Sequence, residues 1–448
     1  MNVLITVDAV VTMDPARRVV QGGGIIVKGN RIDRVLTQAE LGAMAPFEGE
    51  VTRASGCVAI PGFVQTHIHL CQSLFRGLAD DLELLDWLKL RIFPFEAAHN
   101  SRSMRVSAQA GIAELLRSGT TTIMDMGSIH YEEEIVAAIS ESGIRAFVGK
   151  AMMDENTLHP SFKESTKDAL SSTLQQAQQW HNAADGRIRY AVAPRFVLSC
   201  TDELLTQAYE MTGDFPGMLF HTHAAENRHE MNSVRQRCGM DNVEFFESLG
   251  ILRANTCLAH CIWLNDREIE LISKRRAKVV HCPSSNLKLG SGIANVPRLL
   301  QKGITVSLGA DGAPCNNTLD MFREMRLAAL LQKPQHGPRA MEVKTVLEMA
   351  TLGGAKTLGM DDEIGSIEPG KKADIVLLDL HRVWNQYADP SPEHVYSTIV
   401  YSCSPENVRS VMIDGKWVYC EGAQVTLDEG AIVGGAREEL RRLLGRVR

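Results

Sequence analysis

Two His-x-His pairs, His67-Ile68-His69 and His221-Thr222-His223, stand out in this 448-residue chain. With 14 histidines in that length, fewer than one such pair is expected by chance. Alternate residues of an extended strand share a face, so His67 and His69 can address one ion. A catalytic metal takes three or four nitrogen and oxygen donors and keeps a position open for water. His67, His69, His223 and Asp311 supply such a set. The chemistry this implies is hydrolysis, because a bound metal lowers the pKa of water until hydroxide is available as nucleophile. Zinc is the expected ion, and ferrous iron accepts the same donors. His221 lies one step deeper on the same face as His223 and is expected to pack behind the site. His99, His130, His159 and His336 are expected to be ordinary core or capping residues.

These groups need a scaffold that presents all of them to one point. Apolar or β-branched runs occur at 60–66, 120–125, 145–150, 187–193, 217–221, 256–260, 278–281 and 304–310, with helical patterns such as Ala108 to Arg117 between them. Eight such runs predict an α/β fold, a (β/α)8 TIM-like barrel, whose chemistry sits where the strands end. The first run ends in His67-Ile68-His69, the fifth in His221 to Glu226, the sixth at His260, the seventh at His281 and the eighth at Asp311. The first sixty residues and the C-terminal hundred instead read as short strands, with turns at Gly29-Asn30 and Asp414-Gly415. Residues 1–58 and 366–448 are therefore expected to form one small β-sandwich domain, with the barrel at 59–365. The Arg-rich tail from Arg437 to Arg448 has the spacing of a solvated helix.

Composition narrows the class. Hydrophobic content of 44%, charged content of 23% and a net charge of −7 fit a globular enzyme and give no footprint for nucleic acid or an anionic membrane. No run approaches the ~18 apolar residues of a spanning helix. Ten cysteines without a CxxC pair suggest reduced thiols. The opening MNVLITVDAVVTMD has no basic leader, and Asp8 breaks its apolar run, so a cytoplasmic location is expected.

Pro61-Gly62-Phe63-Val64-Gln65-Thr66-His67-Ile68-His69 resembles the opening metal motif of the amidohydrolase superfamily. His223-Ala224-Ala225-Glu226, His260-Cys261, His281-Cys282-Pro283-Ser284-Ser285-Asn286 and Gly309-Ala310-Asp311-Gly312 follow in that superfamily's order, and Gly365 to Asp374 is similar to its closing β segment. Within it the chain resembles the branch that deaminates purines and related heteroaromatic rings with one metal. The resemblance implies catalytic roles for Glu226 as proton shuttle to a ring nitrogen, Asp311 as metal ligand and base, and His260 in orienting water and stabilising the tetrahedral intermediate. Metal-bound hydroxide would attack the amine-bearing ring carbon and release ammonia. Binuclear relatives instead use a carbamylated lysine; Lys150, at the end of the third run, is the residue that could serve, and it is expected to pair with a carboxylate. The resemblance also allows a homodimer.

Residues 145–230 are similar to guanine deaminases, which implies that Gln72, Arg195 and Phe196 hold a purine base, with His281 as a further substrate contact. A guanine-type base is the preferred expectation. Arg76 to Asp81 and Asn286 to Gly292 are similar instead to deaminases of 5′-modified adenosines (methylthioadenosine, S-adenosylhomocysteine, 5′-deoxyadenosine), in which the residue matching Glu96 binds the ribose. Triazine and pterin aminohydrolases share the scaffold.

Overall fold

The computed structural model describes residues 2–385 and 391–447. Met1, residues 386–390 and Arg448, all within the expected end domain, lie outside the described residues. The chain forms two compact units, one of Met1–Gln65, Ala113–Thr122 and Asp320–Asp428, the other of Thr66–Ile112, Ile123–Leu319 and Glu429–Arg448.

The first unit is built on one nine-stranded sheet drawn from both chain ends. Ile375–Asp379 pairs antiparallel with Glu50–Pro61, which joins the C-terminal strands to the N-terminal ones. Glu50–Pro61 runs parallel to Asn2–Val11, and the other recorded pairings are antiparallel. Side chains from both halves, among them Val3, Ile25, Ala59, Ile375 and Met412, share one core. The expected sandwich is thus a single continuous sheet with a common apolar interior. The Val408–Ile413 and Lys416–Cys420 hairpin turns at Asp414-Gly415, both with positive φ (52° and 76°), as a two-residue Asp-Gly turn requires. The helices Met321–Leu331 and Val343–Ala350 belong to this unit too.

The parallel sheet positions the site. Eight of its ten strands are β1 Phe63–His69, β2 Thr120–Asp125, β3 Arg145–Val148, β4 Ile188–Pro194, β5 Leu219–Ala224, β6 Thr256–His260, β7 Lys278–His281 and β8 Val306–Leu308, each bonded to the next. The pairings from β3 to β8 are parallel. Just after β8, Asp311 and Gly312 pair in parallel with Ile68 and His69 of β1, closing the barrel. Every residue of β1 and β2 is buried, which is why these strands read as runs rather than as alternations. A helical segment over Leu84–Trp87, Leu88–Ile92 and Phe93–Ala97, with a π turn in its middle, follows β1. The terminal helix, Glu429–Leu444, buries Leu443 in a cluster with Leu74, Phe75 and Phe95. Among the described residues no helix is long and apolar enough to cross a membrane.

Candidate active site

The ends of β1, β5 and β8 bring His67, His69, His223 and Asp311 together, with one donor atom of each within 4.8 Å of the others. Their outer hydrogen bonds fix the rings. His69 Nδ1 donates to the Met126 carbonyl at 2.7 Å, and His223 Nδ1 donates to the Arg195 carbonyl at 2.7 Å. His67 Nδ1 lies 2.9 Å from His221 Nε2, so His221 is the residue packed behind the site. Each arrangement leaves Nε2 facing inward, and a partner on the far nitrogen is how metal-binding imidazoles are usually oriented. His67 Nε2 is buried without a hydrogen-bond partner, and it lies 3.4 Å from Asp311 Oδ1, as His69 Nε2 does at 3.3 Å.

The charge states suit a cation. Burial lowers the His67 pKa to about 4 and holds His223 well below the ordinary imidazole value, so both are neutral donors. For His69, the Asp311 carboxylate outweighs the downward pull of burial and the net shift is upward. Burial alone would raise Asp311, but the His67 and His69 rings outweigh it and hold the carboxylate ionised well below its usual range. An orphaned inward nitrogen, two neutral imidazoles and one ionised carboxylate fit a single divalent ion.

Around this set stand the other groups named by the sequence. Burial, and then the charges of Asp311 and Glu230, push Glu226 well above the usual carboxylate range and so favour its protonated form. His260 Nε2 is 3.4 Å from Glu226 Oε2 and 3.8 Å from Asp311 Oδ2. Backbone strain gathers here: Ala225, His260 and Asp311 all have positive φ (50°, 73° and 63°), a conformation that persists only where its surroundings impose it. Asn227 and Glu230 form a capping box at the start of Arg228–Cys238, and Glu230 Oε2 also accepts the Glu226 backbone N–H at 2.8 Å.

A pocket opens onto three of the four donors, walled by Leu84, Trp87, Leu88 and Phe196 and floored by His69, His223, Glu226 and Asp311. Arg195 and Phe196 both line it. Arg195 is turned onto Glu96, donating from Nη1 at 2.9 Å and Nη2 at 3.1 Å, and Gln72 Nε2 donates to the same carboxylate at 2.8 Å. A Cβ at Gly312 would come within 2.0 Å of Gln72 Oε1, so Gln72 packs directly on the backbone beside Asp311. His281 is buried with neither ring nitrogen partnered and does not line the pocket. Lys150 Nζ donates to Glu164 at 2.6 Å and to Ser172 at 2.9 Å, the carboxylate pairing expected of it.

Four pocket residues escape the sequence reading: Leu84, Trp87, Leu88 and Glu230. Glu230 had a usable signal in Asn227-x-x-Glu230, a capping-box spacing. Trp87, whose indole N–H is buried without a partner, had none, because the segment that carries it contains a π turn.

Three imidazoles and a carboxylate at the strand ends of a parallel barrel are the donor set of a metal-dependent hydrolase, and the chain's relatives make this one that acts on carbon–nitrogen bonds. The chain belongs to the amidohydrolase family, whose profile matches residues 58–418. It is 37% identical over 446 residues to the 5′-deoxyadenosine deaminase of Methanothermobacter thermautotrophicus, covering 99% of each chain. It is also similar to the solved structure of an adenosine deaminase from Xanthomonas campestris with bound zinc, at 32% identity, covering 99% of this chain and 98% of that one with a TM-score of 0.91. The guanine deaminase of E. coli is more distant, at 27% identity, covering 93% of this chain and 99% of that one with a TM-score of 0.84.

Proposed function

We propose that this chain deaminates 5′-modified adenosines, replacing the 6-amino group of the purine by oxygen with release of ammonia. The full-length similarity to a 5′-deoxyadenosine deaminase carries this reading, at 37% identity against 27% for a guanine deaminase. The preference for a guanine-type base therefore yields to its alternative. The geometry agrees. The Arg195 fork and the Gln72 amide, the groups suited to reading guanine, both engage Glu96. What they present is an oriented carboxylate, and a carboxylate accepts hydrogen bonds from the vicinal hydroxyls of a ribose.

When bound, a divalent ion held by His67, His69, His223 and Asp311 supplies a water acidic enough to attack at neutral pH, and zinc is the ion this reading names. Glu226, whose protonated form burial favours, gives a proton to the ring nitrogen beside the amine-bearing carbon and makes that carbon electrophilic. Asp311, held ionised, takes the proton of the attacking water. His260 stands between the two carboxylates and orients the water toward the ring. Asp311 passes that proton to the amine, which leaves as ammonia, while the new hydroxyl returns a proton to Glu226 as it becomes the ring's 6-oxo group. The walls Leu84, Trp87, Leu88 and Phe196 hold the purine face and keep bulk water out.

Incubation of zinc-loaded protein with 5′-deoxyadenosine, following ammonia and the 6-oxo nucleoside, tests the reading. Stoichiometric formation of both is expected, and no turnover of any 5′-modified adenosine overturns it.

A further inference from the structure

We propose that Ser285 and Asn286, neighbours on the Pro283–Lys288 helix, are positioning residues that set His260 and Asp311 for proton handling; only the kinetic arm of the test rests on the deaminase reading. Both are buried, at 0% and 1% exposure, and neither belongs to the donor set or lines the pocket. Ser285 Oγ lies 2.7 Å from Asp311 Oδ2, and against an ionised carboxylate the hydroxyl is the donor. That bond holds Oδ2 away from the metal donors, while Oδ1 faces His67 and His69. Asn286 Oδ1 lies 2.8 Å from His260 Nδ1. An amide oxygen only accepts, so His260 carries its proton on Nδ1 and its Nε2 is bare. That bare nitrogen has no hydrogen-bond partner of its own and faces Glu226 and Asp311. It is placed to accept from a water O–H and so to aim the oxygen at the ring.

The backbone explains why such help is needed. His260 ends β6 and Asp311 lies just beyond β8, with φ of 73° and 63°, so neither side chain leaves the barrel in the direction a regular strand would give it. The anchoring helix is fixed in turn: Pro283 occupies its first turn, Asn286 N donates to the Cys282 carbonyl at 3.0 Å, and the Asn286 carbonyl accepts from Ser291 N at 2.9 Å. One rigid turn after β7 thus orients a side chain from β6 and another from beyond β8.

The test uses zinc-loaded full-length protein and two independent readouts. The first is the two-bond ¹H–¹⁵N spectrum of histidine-labelled protein without substrate, with the His260 signals assigned by their loss in His260→Gln. The expected tautomer has Nδ1 protonated; an Nε2-protonated His260 in the wild type overturns the proposal without any variant having to fold. The second is kinetic. Asn286→Leu removes the acceptor at similar size and should lower kcat on 5′-deoxyadenosine about 100-fold, the range for a misoriented proton-handling group, with KM and zinc content held within about threefold. Asn286→Asp keeps an acceptor and should recover most of kcat. Ser285→Ala should lower kcat about tenfold with zinc content unchanged. Unaltered kcat in Asn286→Leu, or a loss that Asn286→Asp does not rescue, overturns the positioning role. A wild type inert on the nucleoside but with the expected tautomer overturns the substrate reading instead.

Discussion

Arg195 and Glu96 meet in a two-point ion pair, at 2.9 and 3.1 Å, 99 residues apart in sequence and buried to 2% exposure each. The guanidinium also lies 5.1 Å from the centre of the Phe93 ring. A fork clamped on a carboxylate at two points has little freedom, so it fixes where the carboxylate points. Gln72 is the third member of this buried cluster, of which Arg195 lines the pocket.

Removing one partner leaves the other buried and unpaired, which costs about 3–5 kcal/mol, whereas removing both costs far less. Arg195→Met should destabilise the protein by that amount in denaturant unfolding. The double variant Arg195→Met with Glu96→Gln should recover most of it. Equal losses in the single and double variants would deny the coupling.

Glu226→Gln keeps the size of the side chain and removes its transferable proton. Turnover should fall by about 10²–10⁴-fold, with zinc content and KM little changed. Near-wild-type kcat would remove Glu226 from the proton transfer.

Much of this arrangement was legible in the sequence, for a physical reason. Parallel strands buried on both faces read as unbroken apolar runs, so the runs at 120–125, 256–260 and 278–281 coincide with β2, β6 and β7. Histidines at the ends of such runs converge because a barrel brings all its strand ends to one rim. The Leu84–Ala97 region was not legible: its π turn breaks the 3.6-residue period, and it carries both Trp87 and Glu96. Pairings such as Arg195 with Glu96, or His260 with Asn286, join separate strand-end segments and leave no local pattern. That is why Arg195 read as a free base-reading group.

The metal should stabilise the fold as well as act in it. At about 1,000 times its Kd, a ligand that binds only the native state adds about 4 kcal/mol. Chelated protein should melt lower and regain its Tm with zinc, while His67→Ala should melt at a temperature independent of zinc. A zinc-dependent shift that survives in His67→Ala would place the ion elsewhere.

Buried neutral histidines predict acid sensitivity. Burial holds His99 at about 4, with its ring bonded to Ser103 and to the Cys71 carbonyl. Its folded pKa lies below the unfolded value, so between about pH 4 and 6.5 the unfolded chain binds the extra proton. Stability from this group is complete above about pH 6.5 and is lost as the pH falls towards 4. In urea unfolding from pH 7 to 4.5, His99→Gln should lose less stability than the wild type, by on the order of 2–3 kcal/mol. Parallel pH curves would exclude His99 as a source.

The most direct measurement is kcat/KM for ammonia release from 5′-deoxyadenosine and from guanine, on the same zinc-loaded preparation. The nucleoside should be preferred by at least a hundredfold, and Glu96→Gln should erase most of that preference through KM. A preference for guanine would contradict the account and return Arg195 and Gln72 to the reading of a free base.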